Sequence, residues 1–340
     1  MVGSLTLLGM RILAALIAVV LTVPAWTNQS SGVTARLRGV SAVTERVAWA
    51  SGSGGTVLRT SDGGATWQRL TVPGAEKLDF RDIDAVSEDV AFVLSIGSGE
   101  SSRIYKTIDA GRTWTLQFTN TDPKAFFDAM AFWDPNRGIA FSDSVDGQLV
   151  ILQTRDGGKT WTRVPAAGLP PALDNEGAFA ASGTNVAVMG RDRVWIGTSA
   201  SRVLRSSDGG LTWAAASTPL ATGSSAGIFS IAFRDAEHGI VVGGDYRKES
   251  EAIDNAAITS DGGRTWTALK GLTGFRSVVT YLPSSSSVIA LGPQGADLSL
   301  DDGKTWTPLT GATGLHTFSA ARRGRAAWGA GENGRIFKLS

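Results

Sequence analysis

Short stretches in which apolar and polar side chains alternate recur along the chain: Val57-Leu58-Arg59-Thr60, Ile104-Tyr105-Lys106-Thr107 and Val203-Leu204-Arg205-Ser206. A period of two reads as a half-buried β-strand. Each stretch runs straight into an octapeptide, first seen as Thr60-Ser61-Asp62-Gly63-Gly64-Ala65-Thr66-Trp67, with the pattern Ser/Thr-x-Asp-x-Gly-x-Thr-Trp. Six copies carry Asp62, Asp109, Asp156, Asp208, Asp261 and Asp301, spaced 47, 47, 52, 53 and 40 residues apart. They end on Trp67, Trp114, Trp161, Trp213, Trp266 and Trp306. A repeat of this period signals an array of supersecondary units.

The octapeptide reads as a hairpin corner. The Asp is expected to hold the turn by accepting backbone N–H groups one or two residues on. The Gly supplies a positive φ, and the Trp covers the turn with a large ring. One active site has no use for six equivalent aspartates, so their role is structural. Each unit reads as four strands; in the second these are 80–86, 90–96, 103–107 and 114–118. Abundant Gly, no helical periodicity and evenly spaced short strands predict an all-β, seven-bladed β-propeller with four-stranded antiparallel blades.

The last unit echoes the first: Ala327-Trp328-Gly329 answers Ala48-Trp49-Ala50, and Ile336-Phe337-Lys338 answers Val57-Leu58-Arg59. It stops where its corner should begin. Ala25-Trp26-Thr27 resembles a corner's end, and Trp26 precedes Arg38 by the same twelve residues that separate Trp306 from Phe318. The N-terminal segment is therefore expected to close the ring on the C-terminal blade, which also removes exposed strand edges.

Arg11 followed by the apolar run 12–23, with Val23-Pro24-Ala25 at its end, reads as an export signal over residues 1–25. Residues 26–340 then form one propeller domain, periplasmic or secreted, with no membrane insertion once the signal is cleaved. The chain has no Cys, which excludes disulfides and a lipoprotein anchor. It has 32 basic and 31 acidic residues; loss of Arg11 makes the two equal. This balance argues against a nucleic-acid partner.

The corners match the Asp-box (BNR) repeat, and the chain most resembles the photosystem II stability/assembly factor-like family. The resemblance is carried by the corners at 60–67 and 154–161 and by the Gly-x-x-Gly-x-[Val/Ile]-x-[Arg/Lys]-Thr lead-in that residues 52–60 approximate. It implies a propeller and a non-enzymatic protein-binding or assembly role, without implying a photosystem. Sialidases share the corners, but their Arg-Ile-Pro motif is absent here, and of the three tyrosines, Tyr105, Tyr246 and Tyr281, the first sits in the strand before a corner.

In a propeller the starts of the innermost strands and the ends of the second strands converge on one channel mouth. Reading the units in register puts Arg38, Arg81, Asp128, Glu176, Arg276 and His316 at the former, and Asp143, Asp245 and Tyr246 at the latter. Carboxylates beside arginines in a cleft suit a sugar or an anion, or an acid/base pair; the same charges would also serve as solvated rim pairs across blades, and with the resemblance the expected occupant is a protein partner, with a glycan as second candidate. A carbohydrate-active hydrolase using Glu176 with Asp128 or Asp143 is the competing reading. Two longer loops are expected, at 183–193 and 245–255, the second as a recognition loop. Gly329-x-Gly331-x-x-Gly334 mimics a dinucleotide fingerprint, but a strand follows it where a helix is required. Only two His and no Cys are present, so no metal or cofactor is expected; Asp143 and Asp146 have a spacing commoner in turns than in cation sites.

Overall fold

The computed structural model describes residues 24–340; the export-signal expectation lies almost wholly outside them. Seven antiparallel sheets of four strands each are present, occupying 37–70, 79–119, 127–163, 186–217, 226–268, 278–309 and 315–339. We number these blades 1 to 7. Each innermost strand touches the next, and that of blade 7 touches that of blade 1, so the sheets close into a ring. The outer strand of blade 7 is Trp26–Gln29, paired antiparallel with Ile336–Leu339 in the register Trp26↔Leu339 to Gln29↔Ile336. The expected closure is the one observed.

The core lies between blades rather than inside them. Each corner Trp packs into the layer its own blade makes with the preceding one: Trp114 stands edge-on to Trp49 of blade 1 at 6.2 Å and 89°, and Trp161 joins the layer of Phe92 and Phe132. Trp26 packs in the same way between blades 6 and 7, against Phe318 and Phe337. It therefore stands in for the missing corner Trp of blade 7.

The corners differ from expectation in one respect. Asp62 Oδ1 accepts the N–H of Thr66, four residues on (2.9 Å), and Oδ2 accepts the Thr66 hydroxyl (2.7 Å). The Thr60 hydroxyl donates to Asp62 (2.8 Å) while accepting the Gly64 N–H (2.9 Å). The turn is wider than a simple Asx-turn, because two consecutive residues at positive φ bring the chain back around the carboxylate; they are Gly63 and Gly64 here, and Ala110 and Asp302 take the first place at two other corners. The pattern repeats at Asp109, Asp156, Asp208, Asp261 and Asp301. Thr60 is buried, so Thr60→Val leaves the Gly64 N–H without an acceptor. The expected loss is about 1–3 kcal/mol, read from the urea midpoint; an unmoved midpoint would refute this account.

The N–H and hydroxyl of the following Thr hold the carboxyls of Asp62, Asp109 and Asp156 down to about 2. With folded values below unfolded ones, the unfolded state takes up protons first as pH falls. Their stabilisation is full above the unfolded value of 3.8 and is lost as pH drops towards 2. Melting temperature should therefore fall steeply between about pH 4 and 2. A flat profile there would show that the corners contribute nothing.

Candidate functional site

Five innermost strands carry a one-residue register shift near their start, between Leu37/Gly39, Phe80/Asp82, Phe127/Ala129, Ile228/Ser230 and Leu315/Thr317. The extra residues are Arg38, Arg81, Asp128, Phe229 and His316. A bulge takes its extra residue out of the ladder and re-aims the side chain. All five line one cavity of about 440 Å³ at the channel mouth, within the range of ligand pockets. Asp143 and Tyr246, at and just beyond the ends of second strands, line it too. Six of the nine candidates thus converge: Arg38, Arg81, Asp128, Asp143, Tyr246 and His316. Phe229 is not marked by charge in the sequence; the echo of Phe127-Asp128 by Ile228-Phe229 is the signal that points to it. A groove of about 850 Å³ at the ring seam is larger, but it is lined by residues 28–35 and 333–335 together with Ser53, Gly54, Thr56 and Arg69 of blade 1, and holds none of the candidates.

The other three candidates are placed elsewhere. Glu176 lies in the connection before blade 4, fully buried, with Arg202 Nε at 2.6 Å, the Thr198 hydroxyl at 2.9 Å and the Leu173 N–H at 2.9 Å. Arg276 precedes the innermost strand Val278–Tyr281 and is buried against Asp297, Nε to Oδ2 2.8 Å. Both are structural ion pairs, and Glu176 is not available as an acid or base. Asp245 ends its strand and accepts the Arg247 N–H at 2.9 Å, pinning a turn. Asp143 and Asp146 are not brought together: Asp146 turns outward to Lys124 at 2.7 Å.

The expected long loop at 183–193 is also displaced. Residues Val186–Met189 and Arg193–Gly197 are the first two strands of blade 4, and the extra length is the connection 164–185, where the corresponding links 71–78 and 218–225 are far shorter. Its end crosses the channel axis. Ala180 O accepts from Arg81 Nη1 of blade 2 (2.9 Å), the Ser182 hydroxyl donates to Ser277 O before blade 6 (2.8 Å), and Thr317 of blade 7 donates to Ser182 O (3.2 Å). Thr184 bonds Ser230 of blade 5 at 2.7 Å. Gly183, at φ +71°, lies against the Asp82 carboxyl where a Cβ would collide. This strap plugs the channel and floors the cavity with Phe179, which stacks on Phe229 at 3.9 Å and 4°. The expected loop between Asp245 and Ala256 is present and brings Tyr246 edge-on to both rings, at 6.2 and 6.1 Å.

The cavity is electrically divided. On one side Arg38 faces Glu332 (3.7 Å), His316 Nε2 meets the same carboxylate (2.7 Å), and Arg81 pairs with Asp79 (2.8 Å). Burial, and then the neighbouring Arg81, lower Arg38 to about 10. Burial, followed by the charge of Arg38, lowers His316 to about 4, so it is neutral at pH 7. On the other side burial lifts the Asp143 carboxyl to about 6. Burial, and then Asp143, push the Asp128 carboxyl well above the usual carboxylate range. Only the Ala178 N–H of the strap opposes these shifts.

No family model and no curated protein sequence matches the chain. Among solved structures it is similar to YCF48 bound to D1 peptide, at 17% identity and a TM-score of 0.65, covering 92% of this chain and 96% of that one. It is similar to YCF48 from Cyanidioschyzon merolae at 19% identity and a TM-score of 0.64, with 93% and 98% covered. A GH74 xyloglucanase from Xanthomonas campestris matches at 16% identity and a TM-score of 0.62, this chain spanning 53% of its length. At these identities the likeness establishes the fold.

Proposed function

We propose that this chain is a non-enzymatic Asp-box propeller, exported with cleavage of residues 1–25, whose hub cavity binds a segment of a protein partner during assembly or stabilisation of that partner. The observation that carries the reading is the strap: the channel is stoppered by the chain itself, and the mouth becomes a shallow aromatic bed ringed by polar groups. Such a mixture of aromatic anchors and rim charges suits peptide recognition. The likeness to a YCF48 chain captured with a D1 peptide supports a protein as occupant.

The competing reading, a glycoside hydrolase, is favoured by one observation: two adjacent carboxyls, Asp128 and Asp143, both held above their ordinary values. It loses Glu176, which is tied to Arg202. A photo-crosslinking residue at Tyr246, 41% exposed on the mouth face, is the test, with one at Ile108, 68% exposed on a corner, as control. Recovery of a defined protein adduct from Tyr246 alone is expected, and Tyr246→Ala should weaken binding about tenfold. Equal capture at both positions, or glycan binding with hydrolysis abolished by Asp143→Asn, would overturn the reading. The N-terminal mass of protein recovered outside the cytoplasm tests cleavage after Ala25.

A further inference from the structure

Most buried charges around the hub already have a counter-charge; Asp82, against the strap's Gly183, has none among the described residues, but its Oδ2 accepts the Met130 N–H at 2.7 Å and it does not line the cavity. Glu176 has Arg202, Arg276 has Asp297, Arg81 has Asp79, and Arg38 has Glu332, which the neutral His316 also meets. Glu249, on the loop with Tyr246, is bonded to Gln294 at 2.7 Å. The cavity's own buried carboxyls, Asp128 and Asp143, are left without a cation: among the described residues neither has a basic group within ion-pair distance. Asp128 is 1% exposed, and its Oδ2 has no hydrogen-bond partner at all. Desolvating a carboxyl pair without a cation is costly, so such a pair either stays protonated or awaits a positive ligand.

We propose, building on the protein-binding reading above, that the hub cavity takes a basic side chain of the partner peptide, its ammonium or guanidinium seated on Asp128 and Asp143 and its aliphatic stem lying against Phe179 and Tyr246. Four features of the cavity argue for this chemistry. Asp128 and Asp143 have no cation, while the arginines opposite, although Arg38 Nε is itself unpartnered, already face the carboxylates of Asp79 and Glu332, which an anion would have to displace. The aromatic rings beside the carboxyls favour an organic cation over a hydrated one. No third His, Cys, Asp or Glu joins the two carboxyls among the described residues, which is too few ligands for a hard metal ion. The cavity also has the volume for one long side chain, while the strap closes its floor against anything larger.

An arrayed library of random seven-residue peptides, probed with the protein at pH 7, tests this. Enrichment of Lys or Arg at one position by about tenfold or more is expected, a discrimination of about 1.4 kcal/mol, and it should vanish in Asp143→Asn. Asp143 is only partly buried, so this variant should keep the wild-type melting temperature; Asp128→Asn serves as the second variant. Calorimetry with the best peptide at pH 6 should show proton release, since a cation draws the Asp143 proton off. A variant that loses all peptide binding together with its melting temperature is replaced by the other. Enriched peptides without a basic position would overturn this inference and leave the protein-binding reading intact. No enrichment of any peptide would overturn both. Calcium chloride that binds in the absence of peptide and competes with it would assign the carboxyls to a metal instead.

Discussion

Deletion of residues 26–34 lowers the unfolding free energy by about 3–5 kcal/mol or more, the typical cost of removing one packed Trp alone. The segment contributes more than a ring. Trp26 stands edge-on to Phe318 at 5.8 Å and to Phe337 at 6.4 Å. Gln29 Oε1 accepts from the indole N–H of both Trp67 (3.0 Å) and Trp328 (3.1 Å), and its Nε2 donates to Gly63 O (3.1 Å). One side chain thus ties the seam to the first corner and to blade 7. Removing it uncovers the edge of Ile336–Leu339, and an uncovered edge recruits other chains. The measurement is the denaturation midpoint together with light scattering. An unchanged midpoint would mean that the ring closes without its clasp.

The second large effect comes from a buried pair. Arg276 is 1% exposed and Asp297 fully buried, with Nε to Oδ2 at 2.8 Å; Asp297 also accepts the Thr273 N–H at 3.2 Å and hydroxyl at 3.1 Å. Arg276→Met leaves a carboxylate in the interior with no counter-charge, an expected loss of about 3–5 kcal/mol. The double variant Arg276→Met, Asp297→Asn removes both charges and should recover a measurable part of it, the recovery being the coupling between the two sites. Urea midpoints of the two single variants and the double decide the matter. A double variant as unstable as the sum of the singles would show that packing, rather than the orphaned charge, sets the cost.

The ring was legible because its information is local and repeated. Thr60 to Trp67 specifies its own turn, and Trp26 betrays itself as a stray copy of the corner's last residue. The mouth was half legible for the same reason: Arg38, Arg81, Asp128 and His316 occupy one register position, and it is the bulge there that turns them inward. Glu176 and Arg276 were misplaced because nothing near them in sequence announces Arg202 or Asp297, twenty-six and twenty-one residues away and brought close only by the fold. The strap was missed because a long connection carries no periodicity, so the extra residues were assigned to the hairpin that follows. Phe229 shows a different limit: a site sought through its charges does not reveal its aromatic floor.

At the seam Ala25 meets Ser340, with the Ala25 N–H on Ser340 O at 3.0 Å and the Ser340 N–H on Ala25 O at 3.2 Å; removal of residues 1–25 leaves Trp26, paired with Leu339, beside the last strand. Both termini lie where a seventh corner would be, at the end of the strands away from the hub. A tether or tag on either end leaves the cavity unobstructed. Tension applied between the ends meets the antiparallel pair Trp26↔Leu339 to Gln29↔Ile336 from its open end, so the bonds yield one after another, like a zip, at low force. A steady pull should release the first strand well before any blade is disturbed, turning the closed ring into an open one whose sticky edge is the place where rupture begins.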